Sequence, residues 1–332
     1  MAMLRRQFLQ ACGLAALASL SRAAAAQAQG ELEAWPNRVV RLIVGFPPGG
    51  GADLAARIVA AGLSDKWGRQ VVVENKPGAG ARIALDAVAH AAPDGYTVLL
   101  APGAPEVNSF LFSRLTFDPV ADLAPVSLVG TYPDIIAVPN SSAFTTLGEL
   151  IAYAKANPGK LNWASPGIGT VPHLAGELFK RRAGIEITHV PYRGVTEGLM
   201  SDFIGGRLDL MFNTTGSLLP PVEAHQVRGL AVTSAARYPG APQLPTVAES
   251  GVPGYDVSSW YGLYVPAKTP AAIVKKLNAD IAAMLADPAV VEKFKPLGIV
   301  AAASTPQQLA ARNAGDAALW GPIIAEANIR VE

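Results

Sequence analysis

Cysteine is nearly absent from this 332-residue chain: the single one, Cys12, lies among the first thirty residues. The remainder therefore has no disulfide, no cysteine nucleophile, no thiolate zinc site and no iron–sulfur cluster. Charge is sparse as well. Charged residues make up 16% of the chain, and without Arg5, Arg6 and Arg22 there remain 24 basic against 26 acidic residues. A nearly neutral body with no basic stripe argues against a nucleic-acid binder. Beyond the N-terminal segment no stretch approaches about eighteen continuous apolar residues, so no membrane span is expected. The G-x-S-x-G elbow and the H-E-x-x-H zinc helix are missing, and no Asp/His/Ser set can be placed together. His90, His189 and His225 are scattered and read as structural or surface residues. Neither a cofactor nor a metal is expected. There is no internal repeat and no low-complexity tract.

What is present begins with an address. Arg5-Arg6-Gln7-Phe8-Leu9 is followed by a weakly apolar run, Ala11 to Leu20, and by a small-residue stretch, Ala23 to Ala28. Basic, apolar, small is the order of an export signal with an A-x-A cleavage site, here after Ala26 or Ala28. The paired arginines resemble the twin-arginine type, with the Sec route left open. Residues 1–28 are therefore expected to be removed on export to the periplasm.

From Arg38 onward, β-rich runs alternate with helical ones. Val39 to Phe46, Val71 to Glu74 and Tyr96 to Leu100 read as strands, separated by helices at Asp53 to Trp67 and Ile83 to His90. The pattern restarts with strands at Val126 to Val129, Asp134 to Val138, Leu161 to Ala164, Ile187 to Val190, Leu208 to Phe212 and Leu230 to Val232. Helices at Thr146 to Ala156, His173 to Arg182 and Glu197 to Gly205 lie between them. A strand at Trp260 to Val265 and helices at Ala271 to Ala286, Pro288 to Lys295 and Thr305 to Ala325 close the chain, the last with apolar stripes but no chemistry. This order predicts an α/β fold with parallel sheets covered by helices. With 50% hydrophobic residues and this length, two lobes are expected. Their bounds are residues 31–132 with 257–332, and 133–256, hinged about a cleft.

Open parallel sheets bind ligands beyond the C-terminal ends of their strands, so the loops there are the places to search. Phe46-Pro47-Pro48-Gly49-Gly50-Gly51-Ala52-Asp53 runs from a strand through three glycines into a helix. Glycine lets a ligand approach the backbone, and a helix N-terminus offers N–H groups to an anion. The spacing fits neither a dinucleotide fingerprint nor a P-loop, and a plain turn with Asp53 as a helix cap is the alternative. Ser165 to Thr170, with Gly167 and Gly169, forms a counterpart in the second lobe and leads to His173. His173 and Glu177 have the i, i+4 spacing of a metal pair, set against a first-turn histidine packed on its loop. Tyr192 and Arg193 follow the next strand: Tyr192 can close over a ligand, and Arg193 either pairs with a carboxylate or is solvated. Asn213 stands at another strand end, and Ala101 directly follows the third strand of the first lobe.

At these same loops the sequence resembles the Bug family, the extracytoplasmic solute receptors of tripartite tricarboxylate transporters. The resemblance runs from about Trp35 to the C-terminus. It rests on Phe46 to Asp53 (FPPGGGAD), Val73 to Gly80 (VENKPGAG), Pro93 to Thr97 (PDGYT), Asn157 to His173, Val190 to Gly194 (VPYRG), Gly206 to Phe212 and Leu244 to Gly251. It implies a periplasmic-binding-protein type II fold, two α/β lobes joined by two crossing hinge strands. It also implies two carboxylate-binding loops, Gly49 to Asp53 and Ser165 to Thr170, and a small organic acid or amino-acid-like ligand. Transfer of that ligand to the transporter's membrane subunits by a monomer follows. A periplasmic sensor is one alternative; a secreted hydrolase using His173 and Ser165 is another. The chain departs from the family at Ala81-Arg82, at Ala224 to Val227, and at Glu106 and Asn108 after the third strand. A Glu106 reaching the cleft would repel a second ligand carboxylate.

Overall fold

The structure is a computed structural model that describes residues 35–192, 194 and 197–331. The expected export signal and Arg193 lie outside these residues. Strand β1 (Val40–Val44) pairs in parallel with β2 (Val71–Asn75) and β3 (Thr97–Pro102). Helices α1 (Gly51–Trp67) and α2 (Arg82–Ala89) connect them. After a four-residue helix, α3 (Asn108–Leu111), the chain enters β4, a 17-residue strand from Leu123 to Pro139.

Strand β4 decides the architecture. Its first part, Leu123 to Pro133, pairs with β9 (Ser258–Pro266), which pairs in turn with β3. Its second part, Asp134 to Pro139, pairs with β7 (Leu210–Thr214) and β8 (Val227–Val232). Beyond β7 lie β5 (Asn162–Ser165) and β6 (Thr188–Pro191), all parallel to one another. The strand order β2-β1-β3-β9-β4-β7-β5-β6 thus holds two α/β halves, with β4 running through both. The pattern of residues predicts two strands here, broken at Gly130 to Pro133. The structure has one, because Pro133 faces β9 at a position where no ladder N–H is needed and its carbonyl accepts from the Thr215 hydroxyl. Register shifts at Pro125/Ser127 and Leu128/Gly130 absorb the irregularity.

The second half carries α4 (Leu147–Ala156), α5 (Val171–Ala183), α6 (Glu197–Ile204) and α7 (Thr215–Glu223). Helix α7 was not expected, since Pro220 and Pro221 lie inside it. The chain then returns through β9 to the first half, where α8 (Ala271–Leu285), α9 (Pro288–Phe294), β10 (Val300–Ala301) and α10 (Pro306–Glu326) complete it. Val40, Leu42, Val44, Leu100, Leu263 and Val265 pack with α1 and α8 on one sheet face. Ile43 and Leu99 face the other way, into the core that also holds Trp260 and Trp320. Alternate residues of each strand therefore bury on opposite faces, as a doubly covered sheet requires. Among the described residues no helix is long and apolar enough to cross a membrane.

Candidate ligand-binding site

A cleft of about 530 Å³ lies where strands β1, β3, β5 and β7 end. Loops from both halves wall it. The two halves approach closely there: a Cβ placed on Gly103 would lie 3.3 Å from Val171, and one on Gly169 would lie 2.7 Å from Leu111.

Three helices open their N-termini into the cleft: α1 behind Gly50, α5 behind Thr170 and α7 behind Thr214. None of these three N-cap residues gives its helix a side-chain hydrogen bond. Elsewhere Thr146 and Thr305 build full capping boxes on α4 and α10. The first-turn N–H groups of a helix have no intrahelical acceptor, so uncapped ends facing a cleft suit a ligand oxygen. Asn213 adds to this. It is fully buried yet lines the cleft; its Oδ1 accepts from Thr214 N at 2.8 Å, while its Nδ2 finds only the Met211 sulfur at 3.8 Å. A buried amide without an oxygen acceptor awaits one.

Tyr132 and Tyr261, from β4 and β9, stand beside these donors with ring centroids 5.0 Å apart. The Tyr261 hydroxyl would lie 3.1 Å from a Cβ on Gly51. Burial raises both phenols, Tyr261 to about 12, so both remain protonated donors. Among the described residues no charged side chain lines the cleft.

The family model described as tripartite tricarboxylate transporter family receptor matches residues 55–329. The UPF0065 protein of the tcbD-tcbE intergenic region in Pseudomonas sp. (strain P51) is 40% identical over 97% of this chain and 94% of its own length. Among solved structures, R. palustris Rpa4515 with adipate superimposes with a TM-score of 0.82 at 35% identity, covering 89% of this chain and 98% of that one. The periplasmic binding protein BugD gives 0.80 at 34%, over 89% and 100%. The chain belongs to the tripartite tricarboxylate transporter receptor family.

The receptor has the expected periplasmic-binding-protein type II fold, and its expected site residues divide into two groups. Phe46, Gly49, Gly50, Gly51, Gly169, Thr170 and Asn213 line the cleft. Asp53, Ala101, Ser165, Gly167, His173 and Tyr192 do not; they shape it. Asp53 reaches back to the glycine loop and not into the cleft. Gly49 N and Arg57 Nε donate to its Oδ2 at 2.9 and 2.8 Å, and Asn75 Nδ2 donates to Oδ1 at 2.9 Å. Burial by itself would raise this carboxyl. The Arg57, Gly49 and Asn75 donors outweigh that and hold it below the usual carboxylate range. Asn75 also donates to Phe46 O, so the pair clamps the glycine loop from behind. Asp53→Ala is expected to cost about 3 kcal/mol, because Gly49 N, Arg57 and Asn75 Nδ2 all lose a buried partner, and to weaken ligand binding through a loosened loop. Urea unfolding at pH 7 checks it. The wild-type advantage, full above the unfolded carboxyl value of about 3.9, should vanish as pH falls through the lower folded value.

In the second loop, Gly169 N donates to His173 Nδ1 at 3.1 Å, and Ser165 Oγ lies 2.8 Å from His189 Nε2. His173 is thus a packed, loop-holding residue that does not line the cleft. Glu177, at i+4 from it, is occupied by Lys180 at 2.9 Å, and no group of three or more metal-capable side chains occurs among the described residues. Ser165 is fully buried and pairs with His189, not His173. Ala101 is buried in β3 opposite Gly262. Tyr192 donates to Asp202 Oδ2 at 2.6 Å instead of covering the cleft. Of the family departures, Asn108 lines the cleft, whereas Glu106 lies behind it, accepting from Asn313 Nδ2 at 3.0 Å. Sequence reasoning missed Tyr132 and Tyr261, which read as ordinary strand residues, and Trp320, which read as part of an apolar stripe.

Proposed function

We propose that this receptor captures a small carboxylated metabolite in the cleft and presents it to the membrane subunits of a tripartite transporter. The observation that carries the reading is the meeting of three uncapped helix ends with Asn213, whose Nδ2 has a sulfur, Met211, as its acceptor. The adipate held by Rpa4515 supports a carboxylate as ligand, and the periplasmic BugD supports export. The lobes are residues 31–132 with 257–332, and 133–256; they close about β4 and β9 on a ligand held by one monomer. No turnover is expected, since the one serine–histidine pair of the second loop, Ser165 and His189, is sealed from the cleft by burial of the serine.

A thermal-shift screen against mono-, di- and tricarboxylates, amino acids and aromatic acids tests this. A ligand at a hundred times its dissociation constant should add about 2.7 kcal/mol. A saturable upward shift with an acid is the expected result. A flat response across all acids from folded, ligand-free protein overturns it.

A further inference from the structure

The two strands that cross between the halves carry a row of buried polar side chains to the cleft. Residues two apart on a strand share a face. Tyr132 and Asp134 of β4 therefore lie on one side of the sheet, with Ser259 and Tyr261 of β9 beside them. The register pairs Tyr132 with Ser259 and Gly130 with Tyr261. The order along this face is thus Asp134, Ser259, Tyr132, Tyr261, and all four are buried. Ser259 Oγ lies 3.2 Å from each carboxylate oxygen of Asp134. The Tyr132 phenol has Ser259 and Tyr261 as hydrogen-bonding neighbours. Tyr261 ends the row in the cleft wall, its hydroxyl 3.1 Å from the Cβ position of Gly51 at the start of α1.

Asp134 is the carboxylic acid of this row. Tyr132 faces it from β4, Ser259 and Tyr261 from β9, and Tyr255 from the segment before β9. The Tyr255 hydroxyl donates elsewhere, to Ala175 O at 2.8 Å. Thr233, after β8, accepts from Asp134 N at 2.8 Å, and Thr214 of β7 is its register partner. Arg312 reaches Ser258 O and sits over the Trp260 ring, on the opposite face of β9. Burial, opposed by the Ser259 hydrogen bond, raises the Asp134 carboxyl to about 7.

On the reading of the cleft as a carboxylate site, we infer that Asp134 is a positioning residue that couples capture of the acid to uptake of a proton. Each hydroxyl of the row has one hydrogen to give. A neutral Asp134 donates to Ser259, Ser259 to Tyr132 and Tyr132 to Tyr261, which leaves the Tyr261 hydrogen for a ligand oxygen before α1. An ionised Asp134 takes the Ser259 hydrogen and reverses the row, so that Tyr261 turns its lone pairs to the ligand. Charge acts in the same direction, because an ionised Asp134 and a ligand carboxylate at the two ends of one buried row repel each other.

Calorimetric titration of the purified receptor with malate, adipate, glutamate and benzoate tests this at pH 6.5 and pH 8.5, where their carboxyls are ionised. His173 and His189, pushed down to about 3 and about 4, do not titrate in that window. An acid that binds is expected to bind about tenfold more weakly at pH 8.5 than at pH 6.5, with proton uptake that shows as heats differing between buffers. Asp134→Asn, a permanent donor to Ser259, is expected to bind at pH 8.5 as the wild type does at pH 6.5, without proton uptake. Tyr261→Phe keeps the ring against Tyr132 and is expected to weaken binding and flatten the pH profile. Melting curves show whether each variant folds; the wild-type profile and its proton count decide by themselves if neither does. Wild-type binding that is independent of pH, or an equal pH dependence in folded Asp134→Asn, overturns the inference and leaves the carboxylate reading standing. Absence of binding by every acid at both pH values overturns both.

Discussion

Replacing Gly50 by valine is expected to weaken acid binding at least a hundredfold while moving the melting temperature by only a few degrees. Position 50 allows this separation because its backbone is ordinary: φ −77 and ψ 165 lie in the extended region that β-branched residues favour. A Cβ there meets only the Pro47 carbonyl oxygen, at 3.6 Å, an ordinary contact. Gly49 offers no such experiment, since its φ of +83 would strain any side chain. Gly51 is tighter, with its Cβ position 3.1 Å from the Tyr261 hydroxyl. The valine methyls at position 50 would fill the space in front of the α1 N-terminus that a ligand oxygen needs. The exchange of N-cap residue costs about 1 kcal/mol of stability, equivalent to about 2 °C for a chain of this size. Titration with whichever acid the wild type binds, beside a melting curve, separates the two effects. Wild-type affinity in a folded Gly50→Val receptor would move the carboxylate away from α1.

That the α1 end was legible in the sequence at all follows from local chemistry. A β-rich run, a glycine loop and an amphipathic helix, in that order, force a helix N-terminus beyond a strand end. Asp53 was legible as a helix-start acid but not as a clamp, because its partners Gly49 and Asn75 come together only when β1 and β2 pair. The α7 end was hidden for a different reason. Pro220 and Pro221 argue locally against a helix, and the packing of buried Leu218 and Leu219 overrides them. Strand β4 was hidden by Pro133, whose missing N–H looks like a break until β9 is laid beside it. Tyr132, Tyr261 and Trp320 carry no motif. Each is one large residue in an apolar run, and only the crossing of β4 and β9 and the docking of α10 bring them to the cleft. The lobe framework is therefore written in periodicity, whereas the wall that selects the ligand is written in long-range packing.

The same distinction between frame and wall makes the second loop acid-labile. His173 and His189 stack with ring centroids 4.1 Å apart beneath Gly169 and Ser165, against the buried ring of Trp163. Burial, then the neighbouring His189 and Lys180, pushes His173 down to about 3; burial and Lys180 push His189 down to about 4. In the unfolded chain both titrate near 6.5. Between 6.5 and 4 the unfolded state binds more protons than the folded one, so stability rises with pH. The contribution is complete above about 6.5 and is lost as pH falls toward the folded values. Each histidine withdraws about 1.4 kcal/mol per pH unit, or roughly 4 kcal/mol for the pair at pH 5. Asp134 works in the opposite sense. Burial between β4 and β9, against the single hydroxyl of Ser259, raises it to about 7, so it gains stability as pH falls below that value. The comparison must therefore be made between variants. In the double variant His173→Asn, His189→Gln, an amide oxygen takes over the acceptor position facing Gly169 N, and the glutamine amide offers Ser165 Oγ either a donor or an acceptor. Between pH 7 and pH 5 it is expected to lose about 4 kcal/mol less than the wild type in urea unfolding. An equal loss in both proteins would mean that the two rings titrate in the folded receptor as they do in water. The loop that lines the cleft at Gly169 and Thr170 would then need another source of rigidity than a neutral histidine pair.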